Sequence, residues 1–235
     1  MAKTHIAIVG GGMTATYMLK HIIEQGNKDI AVTIFEKNPK VGPGMAYSRR
    51  HVNKEHLANS GSQEIPDLEK PLHEWLRDKS DAWLEAHNIK REEITAGSIY
   101  PRVVLGSYFE DQFQQLVKNA KQRGIEVNVY DDTEVKDVID DPDKNKVAVL
   151  AQTKGEGDRK EQFDKVVIAT GHVWPEKGKI KGFYDSPWPI EKISRQLNHP
   201  VAVIGTSLSG VDTVLTLADK HGKFERDVNG KLQYK

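Results

Sequence analysis

Residues 4–22, THIAIVGGGMTATYMLKHI, drive an apolar run straight into three consecutive glycines, after which a helical pattern begins. No other stretch constrains the fold as strongly. Residues 5–9 predict a buried parallel strand, and from Met13 the positions Tyr17, Met18, His21, Ile22 and Ile23 recur near helical spacing until Gly26, a C-cap. IAVTIFEK then predicts a second buried strand ending at Glu36. Strand, glycine turn, helix and strand make a βαβ unit, whose parallel strands call for helices on both faces. Side chains are given up at the strand–helix junction so that something large and anionic can approach the backbone.

Gly10, Gly11, Gly12, Met13, Thr14 and Ala15 match the spacing G-x-G-x-x-G/A. Gly10 allows the tight turn, Gly12 the close approach of a pyrophosphate, and Ala15 close helix packing. The helix N-terminus supplies unpaired N–H groups and a positive dipole end. Glu36, with Lys37 beside it, lies where a carboxylate accepts hydrogen bonds from ribose hydroxyls, so the ligand predicted is a dinucleotide with a free 2′-OH. Read alone, the glycines are a tight turn; the strand, helix and Glu36 around them make them a fingerprint.

Residues 38–70 are rich in Gly, Pro, Asn and Ser and predict a long functional loop. Helices are expected at 71–78, 81–87 and about 103–123, and GIEVNVY reads as a third parallel strand. Residues 133–163 alternate between turn sequences, the pattern of an antiparallel meander. KVVIATG returns to a buried strand, and PVAVIGTSLSGVDTVLTLADKHG repeats the order strand, glycine turn, helix. The first unit is expected to span 1–196 and a second to begin at 197–235, without the further strand that would complete it.

Lys plus Arg and Asp plus Glu both total 34, a balance that argues against nucleic-acid or membrane-surface partners. There is no cysteine, which excludes disulfides and thiolate chemistry. No apolar run reaches the roughly 20 residues that span a bilayer. The expectation is a soluble, cytoplasmic protein. His51 and His56 sit in a loop without a carboxylate at ligand spacing, so no metal is expected. His172 reads as a strand-end residue, and Trp174 and Trp188 as cover for the core. GTSLSG is not a hydrolase elbow, because its fifth position is Ser209 and only His221 follows.

The pieces IVGGGMTA, GPGMAYS with HLANS, YPRVVLGSYFEDQF, VVIATGH and VAVIGTSLSGVD together resemble the bacterial FAD-NAD(P)-binding proteins related to N-hydroxylating and flavin-containing monooxygenases. The resemblance implies an α/β fold: a Rossmann-like FAD-binding domain, with a parallel sheet plus a β-meander, and the start of a second, NAD(P)-binding unit. It implies FAD and NAD(P)H as cofactors, the flavin doing the redox chemistry. Gly10, Gly12, Ala15 and Glu36 would then hold the pyrophosphate and adenine ribose. Gly44, Met45, Ala46 and Tyr47 would lie on the flavin side of the loop, and Asn59 and Ser60 would reach the flavin or cap the loop. Arg102 would approach the FAD phosphates or ribityl, or stand as a solvated helix-start arginine. Val135 would offer its backbone to the adenine, and Ala169, Thr170 and Gly171 would pass close to the cofactor. Gly205, Ser207 and Gly210 would form the NAD(P) turn, with serine in place of its middle glycine. No side chain is identified as a general acid or base, and the small-molecule substrate and oligomeric state are not indicated. A non-catalytic dinucleotide-binding module and an NAD-only dehydrogenase remain as alternatives, the latter disfavoured by the meander.

Overall fold

The computed structural model describes residues 3–172 and 180–235; Trp174 lies outside them. Strand β1 (Thr4–Val9), helix α1 (Met13–Gln25) and strand β2 (Ile30–Phe35) form the βαβ unit, with Ala7 opposite Thr33 and Val9 opposite Phe35 in parallel register. Gly26 closes α1 at φ 66°, its N–H donating to the Ile23 carbonyl at 3.1 Å. Strands β3 (Glu126–Tyr130) and β7 (Lys165–Ile168) extend the parallel sheet to the order β3-β2-β1-β7. Between β3 and β7 run β4 (Thr133–Asp141), β5 (Lys146–Thr153) and β6 (Gly157–Phe163), an antiparallel meander in the order β4-β5-β6.

The side-chain alternation of the central strands divides the core in two. Ile8 and Ile34 join the larger cluster with α1 and helix α5 (Arg102–Gln122), whereas Ala7 and Phe35 join Val149, Ala151 and Phe163 of the meander. Helix α5 buries Val104, Leu105, Tyr108, Phe109, Phe113, Leu116 and Ala120, a stripe at helical spacing. Each large side chain so buried contributes roughly 1.5–3 kcal/mol. Tyr108 is fully buried, and its hydroxyl donates to the Lys70 carbonyl at 2.7 Å. One short helix, α2 (Gly44–Tyr47), lies within the long loop, and two more, α3 (Leu72–Arg77) and α4 (Asp81–Ala86), follow it. Trp188 is buried, as its proposed covering role requires.

Two expectations fail. β7 is an edge strand rather than a buried one: it pairs with β1 alone, and Ile168 is 68% exposed. Residues 201–205 form no strand, and Ile204 is 90% exposed. An apolar run becomes a strand only where neighbours take its N–H and C=O groups, and among the described residues none pairs with this one. Helix α6 (Leu208–His221) does form, followed by a short antiparallel hairpin of β8 (Phe224–Arg226) and β9 (Leu232–Tyr234).

Candidate dinucleotide site

Where β1 ends, Gly10 turns the chain at φ 101°. A Cβ there would lie 2.3 Å from the Ala169 carbonyl oxygen and 3.1 Å from the Thr170 Cα. Ala169 in turn donates its N–H to the Val9 carbonyl at 2.7 Å. Gly10 is therefore required by the turn and by the backbone that follows β7, before any ligand is considered. Gly11 packs under Val41, whose Cγ1 would stand 2.6 Å from an added Cβ. Gly12 differs: as the N-cap of α1 it has φ −83°, which any residue adopts, and an added Cβ would approach the Gly44 Cα at 3.2 Å. No side chain caps α1 at Gly12, so the first-turn N–H groups around Met13 and Thr14 keep their donor capacity and the partial positive charge of a helix start. Ala15, fully buried, lets α1 lie close on the sheet.

Glu36 is 6% exposed and clamps this turn. Its Oε2 accepts from the Gly11 N–H at 2.8 Å, and its Oε1 from the Asn38 N–H at 2.9 Å and Asn38 Nδ2 at 2.6 Å. A carboxylate has about four lone-pair sites, so one position on Oε2 is left for a ribose hydroxyl. Lys37 beside it is exposed. The Glu36 carbonyl accepts from the Thr133 N–H at 2.8 Å, which ties the start of β4 to the site. Val135 follows two residues later, paired with Ala151 at a register shift on the strand that edges the meander. An edge strand keeps one row of backbone groups unpaired, the kind of contact expected for an adenine.

The long loop is drawn over the turn by glycines. The Gly42 N–H donates to the Gly11 carbonyl at 2.7 Å, and at φ 112° its own missing Cβ would sit 2.5 Å from the Phe109 carbonyl oxygen. Gly44, at φ 60°, starts α2 and faces Gly12. Met45, Ala46 and Tyr47 complete α2, and the Tyr47 carbonyl oxygen lies 2.2 Å from where a Cβ of Gly106 in α5 would stand. The Tyr47 ring rests 5.4 Å from that of Phe109, and burial raises its hydroxyl pKa above the ordinary tyrosine value. Gly171 has φ 74° beyond β7.

The Arg102 side chain is only 14% exposed, so it does not stand as a solvated helix-start arginine. Its Nε donates to the Leu57 carbonyl at 3.0 Å, its Nη2 donates to Asn59 Oδ1 at 3.1 Å, and Nη2 stands 3.3 Å from Asp212 Oδ2 of α6. Asn59 is itself exposed, with its oxygen directed at Arg102. Beneath them His56 is fully buried, Nε2 at 2.9 Å from Thr216 Oγ1 and its ring edge-on to Trp188 at 5.9 Å. Burial holds His56 below the ordinary histidine pKa, opposed by the Asp212 carboxylate. Asn38, Gly42, His56, Gly106 and Asp212 are the site residues that sequence reasoning missed. Gly106 alone carries a legible signal, a glycine inside a helical pattern, which marks close backbone approach.

The second turn repeats the local geometry. Gly205 has φ 104°, Ser207 is the N-cap of α6 at φ −76°, and an added Cβ on Gly210 would meet the Gly205 carbonyl oxygen at 2.6 Å. Among the described residues no group of three or more His, Asp or Glu side chains is placed to hold a metal ion, and no helix is long and apolar enough to cross a membrane.

A parallel sheet, a glycine turn into an uncapped helix and an acidic residue locked at the end of the next strand define a dinucleotide-binding protein of the Rossmann type. More particularly, the chain belongs to the FAD-NAD(P)-binding family, whose profile matches residues 7–173, and its cofactors are accordingly FAD and NAD(P)H. It is 37% identical over 223 residues to the uncharacterized protein YdhS of Escherichia coli (strain K12), covering 94% of this chain and 41% of that protein. The fold is shared with S-allyl-L-cysteine S-oxygenase from Allium sativum, at TM-score 0.55 and 19% identity over 93% of this chain and 49% of that one. It is shared too with a cyclohexanone monooxygenase mutant from Rhodococcus sp. Phi1 bound to NADP+, at TM-score 0.54 and 16% identity over 94% of this chain and 37% of that one. The chain thus spans less than half the length of the relatives it matches.

Proposed function

We propose that the chain is the flavin-binding part of a flavoprotein oxidoreductase whose flavin is reduced by NAD(P)H, of the monooxygenase-like kind. Residues 1–196 form the FAD unit in this reading and 197–235 begin the pyridine-nucleotide unit. Bound FAD supplies the redox chemistry. The chain's own residues bind and orient it: the Gly12, Met13 and Thr14 amides receive the pyrophosphate, Glu36 takes a ribose hydroxyl, Val135 meets the adenine, and Asn59 lies on the flavin side. Gly205, Ser207 and Gly210 receive the phosphates of the second nucleotide. The observation that carries the reading is Glu36 locked against Gly11 at 2.8 Å beside an uncapped helix start. The balanced charge and absence of cysteine support a cytoplasmic setting.

The visible spectrum of the purified chain after incubation with FAD is the test. A retained flavin band, lost in a folded Gly12→Ala variant, is expected; the Gly12 backbone accepts a side chain at φ −83°, and the added Cβ takes up the space above the turn, 3.2 Å from the Gly44 Cα. Equal retention in the variant would remove the pyrophosphate from this turn. A second reading, a nucleotide-binding module without turnover, is favoured by one observation: residues 201–205 form no strand behind the second turn. Anaerobic mixing of the flavin-loaded chain with NADPH, then NADH, bears on the choice: rapid bleaching with either nucleotide decides for the first reading.

A further inference from the structure

Arg102 occupies a costly position. It is the first residue of α5, where the helix dipole is positive, and its side chain is only 14% exposed. A guanidinium there needs a counter-charge, and the nearest is far away in sequence. Asp212 of α6 lies 3.3 Å away with its side chain 7% exposed, yet among the described residues its Oδ2 makes no hydrogen bond. The pair is held by charge rather than by a fork of N–H···O bonds. Asp212 follows the Ser207 N-cap within the first turn and a half of α6, so it moves with the second glycine turn. Arg102 in turn fixes the Leu57 carbonyl and the Asn59 amide. Behind the pair, the Asp212 carbonyl accepts from Thr216 Oγ1 at 2.8 Å, and Thr216 Oγ1 meets His56 at 2.9 Å and Asn53 Nδ2 at 3.4 Å. The helix after the second turn is thereby tied at both levels to residues 53–59.

We propose that Asp212 is a positioning residue: it holds Arg102, and through Arg102 the Asn59 amide, in the geometry that the flavin side of the first site requires. The second nucleotide turn is joined to the first site by this buried link. The proposal rests on the cofactor reading above, which places Asn59 beside the flavin. Removing the Asp212 charge leaves the Arg102 charge unneutralised next to Asn59, which favours the more negative, reduced form of a neighbouring flavin.

The test uses the whole chain and two readouts. In the FAD-loaded protein, Asp212→Asn is expected to raise the flavin midpoint potential, read by reductive titration against a reference dye, and Asp212→Glu to return most of the shift. The exposed Asp219→Asn on the same helix is the control and leaves the potential unchanged. Without cofactor, amide hydrogen exchange in residues 53–60 is expected to quicken about tenfold in Asp212→Asn while β1 and β2 keep their protection. Should Asp212→Asn fail to fold, Asp212→Glu carries both readouts with smaller changes in the same direction. Unchanged potential and unchanged exchange overturn the link. Faster exchange at 53–60 with no shift in potential leaves a purely structural tie and overturns the positioning role. A chain that takes up no FAD but shows the faster exchange defeats the cofactor reading, and the role at the flavin with it, while the tie itself stands.

Discussion

The two glycine turns are the same backbone in different company. Gly10 and Gly205 have φ 101° and 104°, and the N-caps Gly12 and Ser207 have φ −83° and −76°. Around Gly10 the chain is packed: β1 is central in its sheet, the Ala169 carbonyl is pressed against the turn, and Glu36 and Gly42 bind it through Gly11. Around Gly205 an added Cβ would meet nothing within 4 Å among the described residues, and of residues 201–204 only Val203 is half-buried, the others being exposed. The spacing of small residues specifies a local conformation. A cofactor site in addition needs an acidic neighbour, a covering loop and a paired strand, and these come from elsewhere in the chain.

The sharpest way to break this contrast is to add one methyl group to each turn. Gly10→Ala meets both backbone strain and a carbonyl at 2.3 Å, so it is expected to lose roughly 3–5 kcal/mol or to fail to fold. Gly205→Ala meets the strain alone, about 1–2 kcal/mol. Urea unfolding of the two variants decides the matter, and equal losses would show that the packing around Gly10 is irrelevant.

Glu36→Ala comes next. It removes the acceptor of the Gly11 N–H and of Asn38, and is expected to weaken FAD binding by about 1–3 kcal/mol. Because the carboxylate also organises the turn, stability falls together with affinity. Calorimetric titration beside thermal unfolding reads both, and an unchanged FAD affinity would make Glu36 a purely architectural residue.

How much of this could be read beforehand follows the range of the interactions. β1, α1, β2, α5 and the meander were legible because their periodicity and turns lie within the segments themselves. The exposure of Ile168 and the missing strand at 201–205 were not, since pairing depends on what lies alongside. Of the site, Gly10 to Ala15 and Glu36 were legible from spacing. For Arg102 two readings stood open, a cofactor contact and a solvated helix-start arginine, and its partners Leu57, Asn59 and Asp212 depend on how α6 packs. The bland reading of His56 as a loop histidine missed its complete burial, because a polar residue in a Gly- and Asn-rich loop carries no sign of what will cover it.

The region that joins the two turns has its own pH signature. Burial keeps the folded-state pKa of His56 below its unfolded value, while Asp212 and Glu55 pull it up and Arg102 pushes it down. The unfolded chain then binds this proton more readily than the folded one. Stability is fully present above the unfolded value of about 6.5 and declines as the pH falls below it. Urea unfolding of wild type and His56→Gln between about pH 5 and 8 is expected to show this slope in the wild type and a flatter line in the variant. Parallel lines would place the titration elsewhere.

The smallest expected effect bears most directly on what a fingerprint means. Ser207→Gly restores the middle glycine that the second turn lacks, at an N-cap whose φ of −76° is already accessible to serine. Serine and glycine differ by only a few tenths of a kcal/mol as N-caps, and the Ser207 side chain makes no capping hydrogen bond that would be lost. The variant therefore gains a better match to the G-x-G-x-x-G pattern while residues 201–205, among the described residues, still pair with no strand behind the turn. NADH and NADPH affinities, read by isothermal titration on this chain, are expected to change by less than about threefold, under 1 kcal/mol. A gain of about a hundredfold would reverse the lesson of the two turns: the single serine, and not the unpaired run before Gly205, would then be what separates the second turn from the first.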